Sequence, residues 1–361
     1  MTLRTVLSKV ILLPCSKLYG LALYVRNKLF DYGLLTQHEF SIPVICVGNL
    51  AVGGAGKTPH TEYIIDALRL NYNIAVLSRG YKRSTKGFVL ATPHSRPNDI
   101  GDEAYQMYHK FGCKITVAVC ESRVAGIKEI QSLYPDINLI VLDDAFQHRY
   151  VKPALSILVT EYSRPVFRDS LLPYGRLRES KLGVNRADIV VVTKCPEIMK
   201  DLEYRIFSKD LNLFPYQSLF FSHYEYQALV PLFPDEAVSV PDLKWMTEDD
   251  SILAIAGIDN PRPFIRYLKS FLPRVRVNIF GDHHKFTRKD LDYIQKRFDM
   301  KGKQRIIVTT EKDAVRLACN PYFPKELRAH TFYLPIKVEF NAYGNRSFTD
   351  TVRDCLKRAG Y

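Results

Sequence analysis

Among the seven cysteines, at positions 15, 46, 113, 120, 195, 319 and 355, no two stand at C-x-x-C spacing. None pairs with histidine at zinc spacing either. Those absences exclude the usual structural zinc and dithiol redox motifs. Cysteines inside apolar runs read as reduced, buried thiols of a cytosolic compartment. Long uncharged runs are also missing. Arg4, Lys9, Lys17, Arg26 and Lys28 interrupt the Leu- and Tyr-rich N-terminus and leave uncharged runs of only 10–16 and 18–25. Neither approaches the roughly 18 residues of a clean transmembrane helix. No small-residue cleavage site follows, so a secretory signal peptide is not expected. Acidic residues are too few to balance the basic ones: 51 Lys+Arg face 38 Asp+Glu, for a net charge of +13. That balance favours an anionic partner such as a nucleotide, a nucleic acid or an acidic membrane surface. The basic residues are dispersed and no Arg/aromatic groove motif accompanies them, so no nucleic-acid partner is expected.

What is present starts with 361 residues, 47% of them apolar, enough for two folded domains. On a helical wheel Leu3, Val6, Leu7 and Val10 share one face, with Arg4, Thr5, Ser8 and Lys9 off it. A basic amphipathic helix of this kind lies in a membrane interface, although the same face suits packing on the protein's own core.

The most informative stretch is Gly53-Gly54-Ala55-Gly56-Lys57-Thr58-Pro59. It follows the apolar run 42–47, read as a buried strand, and precedes 60–70, read as a helix. Strand, glycine-rich turn, Lys-Thr and helix is the setting of a phosphate-binding P-loop. Backbone N–H groups of Gly53, Gly54, Ala55 and Gly56 can curl around an anion, and the helix start adds free donors and a positive dipole end. Lys57 can reach terminal phosphates, and the Thr58 hydroxyl can hold Mg²⁺. The strict pattern asks for glycine where this chain has Ala51, so a variant loop is expected.

Further apolar runs at 74–77, 115–119, 139–142, 155–159 and 189–192 alternate with helix-like stretches at 60–70, 102–111 and 122–133. Continuous apolar strands interleaved with helices argue for a parallel sheet covered on both faces. The expected fold class is α/β: a P-loop NTPase-type parallel sheet domain over 36–214 and a second, smaller α/β domain over 241–345. An aromatic β-ribbon over 215–240 joins them. A membrane-associated helical segment over 1–35 precedes them, and a C-terminal helix over 346–361 closes the chain.

The run 139–142 ends in Asp143-Asp144, placing carboxylates at a strand's C-terminal end, where a P-loop sheet holds Mg²⁺. With Ala145-Phe146-Gln147-His148-Arg149 after it, the segment resembles the tetraacyldisaccharide 4′-kinase family. So do Leu77-Ser78-Arg79-Gly80-Tyr81, Gly101-Asp102-Glu103, Leu172-Pro173-Tyr174-Gly175-Arg176-Leu177-Arg178-Glu179, Ala256-Gly257-Ile258-Asp259-Asn260-Pro261, Asp282-His283-His284 and Thr310-Glu311-Lys312-Asp313-Ala314. The segments occur in family order from the N-terminus to about residue 340. Ala145 stands where the family usually has glycine, and Tyr174 and Arg176 vary within their motif; neither change removes a reactive group.

The resemblance implies ATP with Mg²⁺. The γ-phosphoryl group would pass to the 4′-hydroxyl of an acylated disaccharide 1-phosphate, at the cytoplasmic face of the bacterial inner membrane and with no obligate protein partner. By itself Asp102 suits a helix N-cap. The resemblance points instead to Asp102 as the group that activates the hydroxyl, with His283, in preference to His284, as its partner from the second domain. Thr58 with Asp143 or Asp144 would hold Mg²⁺, and Glu179 is a candidate metal-water or orientation group that equally suits a structural role. Glu103, Arg123, Gln147, His148 and Arg149 are candidate phosphate or substrate contacts, each of which also suits a structural role. The competing class is a P-loop GTPase or metallochaperone-type switch. That class needs an Asn-Lys-x-Asp segment, and the nearest stretch here, Thr193-Lys194-Cys195-Pro196, lacks both the Asn and the Asp.

Overall fold

The computed structural model describes residues 8–237, 239–299, 304–344 and 346–360. In chain order the strands are β1 Val44–Gly48, β2 Ile74–Ser78, β3 Val89–Leu90, β4 Thr116–Val119, β5 Leu139–Asp143, β6 Leu155–Glu161, β7 Ile189–Thr193 and β8 Ser218–Tyr226. Then follow β9 Val230–Pro231, β10 Ser251–Ala256, β11 Val275–Ile279, β12 Arg305–Thr310, β13 Thr331–Leu334 and β14 Ile336–Phe340. They form a nine-stranded sheet, β14-β8-β7-β6-β1-β5-β2-β4-β3, and a five-stranded sheet, β11-β10-β12-β13-β9.

The large sheet is parallel from β4 through to β8, with antiparallel β3 and β14 at its edges. Both its faces are buried, which is why its strands read as unbroken apolar runs. Cys46, Leu142 and Val190 enter one core; Ile45, Val141 and Val191 enter the other. Strand β1 lies between β5 and β6, so the strand order reverses around it. Such a switch point opens a crevice beyond the carboxyl ends of the strands. Val47 lies opposite Asp143 in the register. The glycine loop after β1 and the acidic pair at the end of β5 therefore emerge side by side.

The smaller sheet has four parallel strands and antiparallel β9 at one edge. The aromatic stretch expected as connecting strands is one long strand, β8. Its antiparallel partner is β14, from residues 336–340, rather than a segment within 215–240. The chain thus crosses between the sheets at two adjacent places, after Tyr226 and at Pro335, and Gln227 N–H donates to Pro335 O at 3.0 Å. The closing helix Phe348–Arg358 returns to the large sheet: Phe348 stacks on Phe340 at 4.3 Å, and Val352 and Leu356 enter that core.

At the other end a π-helical turn, Ser8–Leu12, leads into helix Leu13–Asp31. Leu3, Val6 and Leu7 of the expected amphipathic face lie outside the described residues. The helix docks mainly through polar contacts. Ser16 Oγ donates to Leu171 O at 2.7 Å, Tyr19 Oη to Arg178 O at 2.8 Å and Arg26 to Gln147 O at 3.1 Å. Leu18, Leu21 and Val25 face outward. Among the described residues, no helix is long and apolar enough to cross a membrane.

Candidate active site

The glycine loop runs from the end of β1 into helix Lys57–Leu68, which is capped by Gly56 at φ 90°. Gly53 is also left-handed, at φ 106°. Both positions need glycine, since other residues there carry a steric penalty of about 1–2 kcal/mol. Ala51 is not left-handed; it forms an extended bridge with Leu177, so the departure from the strict motif costs nothing in conformation. The Asn49 amide donates to Ala51 O at 2.7 Å and accepts from Lys57 Nζ at 3.3 Å. A cleft over the loop is lined by Asn49, Gly53, Gly54, Glu161, Arg176 and Asp259. Asp259 comes from the smaller sheet's side and lies 3.7 Å from Arg176 Nη1.

Beside the loop, Lys57 Nζ stands 3.4 Å from Asp144, which sits at φ 48° and also pairs with Arg178 at 3.1 Å. Burial alone would raise the Asp144 pKa, but Lys57 and then Arg178 outweigh it and keep the group below its ordinary value. Asp143 differs. Burial, and then the Asp144 charge, push it up to about 7, while Thr61 Oγ1 donates to it at 3.0 Å. Asp143 has no ion-pair partner among the described residues, a lack that a divalent cation would relieve. Thr58, the second residue of the helix, adds a hydroxyl. Mg²⁺ usually takes only one or two carboxylates, with water and phosphate oxygens completing its shell. The donor set fits that ion, although no group of three or more metal-ligating side chains is present among the described residues.

A second cluster spans the two sheets. Asp102 opens helix Asp102–Phe111; the N-cap is Gly101, so the capping role that Asp102 suited by itself is not the one it fills. Its Oδ2 lies 3.2 Å from His283 Nδ1 and accepts from Arg316 Nε at 2.8 Å. Burial raises the Asp102 pKa, but the His283 hydrogen bond and the Arg316 charge together bring it below the ordinary value, so the carboxylate is ionised. Lys312 Nζ is 2.9 Å from His283 Nε2. A lysine donor on Nε2 and a carboxylate on Nδ1 are both satisfied by neutral imidazole with its proton on Nδ1. Glu103 links the two clusters: it lies 3.8 Å from both His283 Nε2 and Lys312 Nζ, and its charge contributes to the raised pKa of Asp143. His284 turns away to Asp290, at 3.0 Å.

The remaining candidates face inward. Arg123 is buried and donates to the carbonyls of Cys120 and Asp143. Its own N–H meets His148 Nε2 at 3.3 Å. Burial, reinforced by Arg123, lowers the His148 pKa to about 4, leaving it neutral. Gln147 donates to Asn49 O at 2.6 Å and so braces the start of the loop. Arg149 holds Asn27 O and Asp31 of the N-terminal helix. Glu179 is not joined to Thr58 or the acid pair. Asn27 donates to its Oε1 at 2.7 Å, and Arg186 grips both carboxylate oxygens. Glu179→Ala is therefore expected to lose stability, toward the low end of the about 3–5 kcal/mol for breaking a buried ion pair, because Arg186 keeps a quarter of its side chain in solvent. Urea unfolding measures this. Unchanged stability with a collapsed kcat would return Glu179 to the metal shell.

Sequence reasoning gave no role to Lys312, Arg316, Arg178 or Asn49. All four lie within or next to segments that carry the family resemblance, Asn49 in Val47-Gly48-Asn49-Leu50. Spacing could not reveal their partners, because Arg316 and Asp102 are 214 positions apart.

Residues 8–357 match the family of tetraacyldisaccharide-1-P 4′-kinases. A tetraacyldisaccharide 4′-kinase of Bacteroides thetaiotaomicron is 51% identical over 336 residues, 91% of this chain and 88% of that protein. One from Parabacteroides distasonis is 44% identical over 357 residues, 98% of this chain and 96% of that one. A crystal structure of LpxK from Aquifex aeolicus in complex with ATP superimposes with a TM-score of 0.72 at 27% identity, each chain covered in full. With a family match over nearly its whole length and relatives this similar, the chain belongs to the tetraacyldisaccharide-1-P 4′-kinase family.

Proposed function

We propose that this protein transfers the γ-phosphoryl group of ATP to the 4′-hydroxyl of a tetraacyldisaccharide 1-phosphate, a step of lipid A biosynthesis. One observation carries the site assignment: the phosphate loop with its acid pair and the oriented Asp102 carboxylate lie at the same end of the parallel sheet, linked by Glu103. Lys57 and the loop amides hold the ATP phosphates. Thr58 with Asp143 or Asp144 would hold Mg²⁺, which would supply positive charge to offset that of the phosphates. The 4′-oxygen attacks the γ-phosphorus, the bond to the bridging oxygen of ADP breaks, and the hydroxyl proton passes to Asp102. Neutral His283 donates from Nδ1 to Asp102 and orients it, while Lys312 fixes the imidazole tautomer. Because phosphoryl transfer runs through a loose transition state, a carboxylate of low pKa suffices if it is well placed. Incubating the protein with ATP, Mg²⁺ and a tetraacylated glucosamine disaccharide 1-phosphate in detergent micelles should yield the 4′-phosphorylated product. ATP hydrolysis without product would overturn the assignment.

The site works on a lipid, and the N-terminal helix supports a place at the cytoplasmic face of the inner membrane. Its outward stripe has Leu18 69%, Leu21 60% and Val25 49% exposed. The opposite face bonds to the Arg178–Glu179 segment, whose Arg178 holds Asp144. Leu18→Ser, Leu21→Ser and Val25→Ser together should leave the fold intact and weaken binding to anionic vesicles. At about 1 kcal/mol for each side chain, below the 1.5–3 kcal/mol of full burial, the loss is about 100-fold. Unchanged co-sedimentation would place the membrane contact elsewhere.

A further inference from the structure

Two side chains from strands β7 and β8 reach the closing half of the phosphate loop directly, and a third from β8 reaches it through a histidine. Thr193 Oγ1, at the end of β7, donates to Ala55 O at 2.7 Å. Tyr224, on β8, brings its hydroxyl against Gly56, where an added methyl would collide with it, and that buried hydroxyl has no partner among the described residues. The third contact runs through His60, on the loop's own helix and fully buried. Its Nδ1 is 2.7 Å from Gly56 O, and its Nε2 is 2.8 Å from Ser222 Oγ on β8. A proton on Nδ1 satisfies both contacts: His60 donates to the Gly56 carbonyl and accepts from the Ser222 hydroxyl. Gly56 O is otherwise served weakly, by His60 N–H at 3.4 Å. The imidazole therefore stands in for a poor helix-start bond at the left-handed residue where the loop closes. Strand β8 continues past Tyr224 to Tyr226, which stacks on Tyr267 of the smaller α/β unit at 4.3 Å.

We infer that His60 is a positioning residue for ATP, tying the Gly56 turn of the phosphate loop, through Ser222, to the strand that joins the two sheets. The inference rests on the reading of this loop as the ATP site. The residue touches no reacting atom in this scheme. It holds the Gly56 peptide so that the amides around it stay turned toward the anion, and it fastens the loop to the element leading into the second unit.

The test compares Mg·ATP binding by calorimetry, KM for each substrate, kcat and thermal midpoint for the wild type and for His60→Phe, His60→Gln and Ser222→Ala. Losing a buried hydrogen bond while its partner stays buried is expected to raise Kd and KM for ATP about tenfold or more in His60→Phe. KM for the acylated disaccharide should not move. Gln can donate and accept at similar reach and should recover most of the affinity. Ser222→Ala should fall between, and the His60→Phe/Ser222→Ala double variant should bind no worse than His60→Phe alone. If His60→Phe does not fold, Ser222→Ala, which removes one hydroxyl, decides the matter. Wild-type ATP affinity in the folded variants, or losses confined to thermal midpoint and kcat, would overturn the positioning role. Failure of the wild type to bind Mg·ATP would instead overturn the reading of the loop.

Discussion

Lys57→Ala is expected to lower kcat by about 10³-fold or more, because a preorganised cation on the transferring phosphoryl group is among the largest single contributions to such catalysis. The geometry explains why the two arginines beside the acid pair cannot substitute. Arg178 is the other cation on Asp144, and it is committed to that carboxylate at 3.1 Å. Arg123 is turned into the backbone carbonyls of Cys120 and Asp143. Lys57 is held by Asn49 and Asp144 at 3.3 and 3.4 Å, contacts long enough to yield to a phosphate. The fold should survive, since Asp144 keeps Arg178 and the loop keeps its glycine turns and the Asn49–Ala51 bond. Lys57→Arg should restore little, because a planar fork does not replace a point charge in a loop shaped around an ammonium group. Single-turnover rates with saturating Mg·ATP, alongside thermal midpoints, provide the measurement. Near-wild-type turnover in folded Lys57→Ala would remove this loop from the phosphate site.

Legibility followed burial. Strands such as β7, with Ile189 to Val192 wholly enclosed, announce themselves as apolar runs because both faces of a parallel sheet are covered. The loop and the acid pair were readable for a related reason: each sits at a strand end, where the run stops and chemistry begins. Strand β8 was harder. Its inner residues Phe220 and Phe221 are buried while Glu225 is exposed, and the strand that completes it, β14, lies more than a hundred positions later. No local pattern encodes that partner. Glu179 shows a different limit. A carboxylate in a motif near a phosphate loop suggests metal chemistry, yet its environment is set by Asn27, from the N-terminal helix, and by Arg186, at the end of the short 3-10 helix that follows it. Arg149 and Gln147 are similar: adjacent to the acid pair in sequence, they serve as braces for the N-terminal helix and the loop. The juxtaposition of Asp102 and His283, 181 positions apart, came from family resemblance and could not have come from spacing.

Asp102→Asn and His283→Ala are each expected to reduce kcat by about 10²–10⁴-fold, the range for losing a positioned general base. Asparagine is the sharper choice at 102. Arg316 keeps only 8% of its side chain in solvent and leans on Asp102 as well as Asp313. Removing the carboxylate outright would strand part of that buried charge and mix misfolding with lost chemistry. Asparagine keeps the shape and an acceptor for Arg316 while abolishing the base. His283 stands at φ 57°, an uncommon conformation for histidine that places its Nδ1 on Asp102 and its Nε2 on Lys312. If the two residues act as one unit, the double variant should lose little more than the worse single variant, since members of such a unit are not additive. ATP affinity should stay near normal in all of them, because the proposed phosphate site is the other cluster. His284→Ala serves as the internal control. Its ring lies 3.0 Å from Asp290, which also caps the following helix with Thr287, so its loss should lower the thermal midpoint more than kcat. Multiplicative losses in the double variant would separate Asp102 from His283 as independent contributors. A larger fall in kcat for His284→Ala than for His283→Ala would show that the other imidazole serves the reacting hydroxyl.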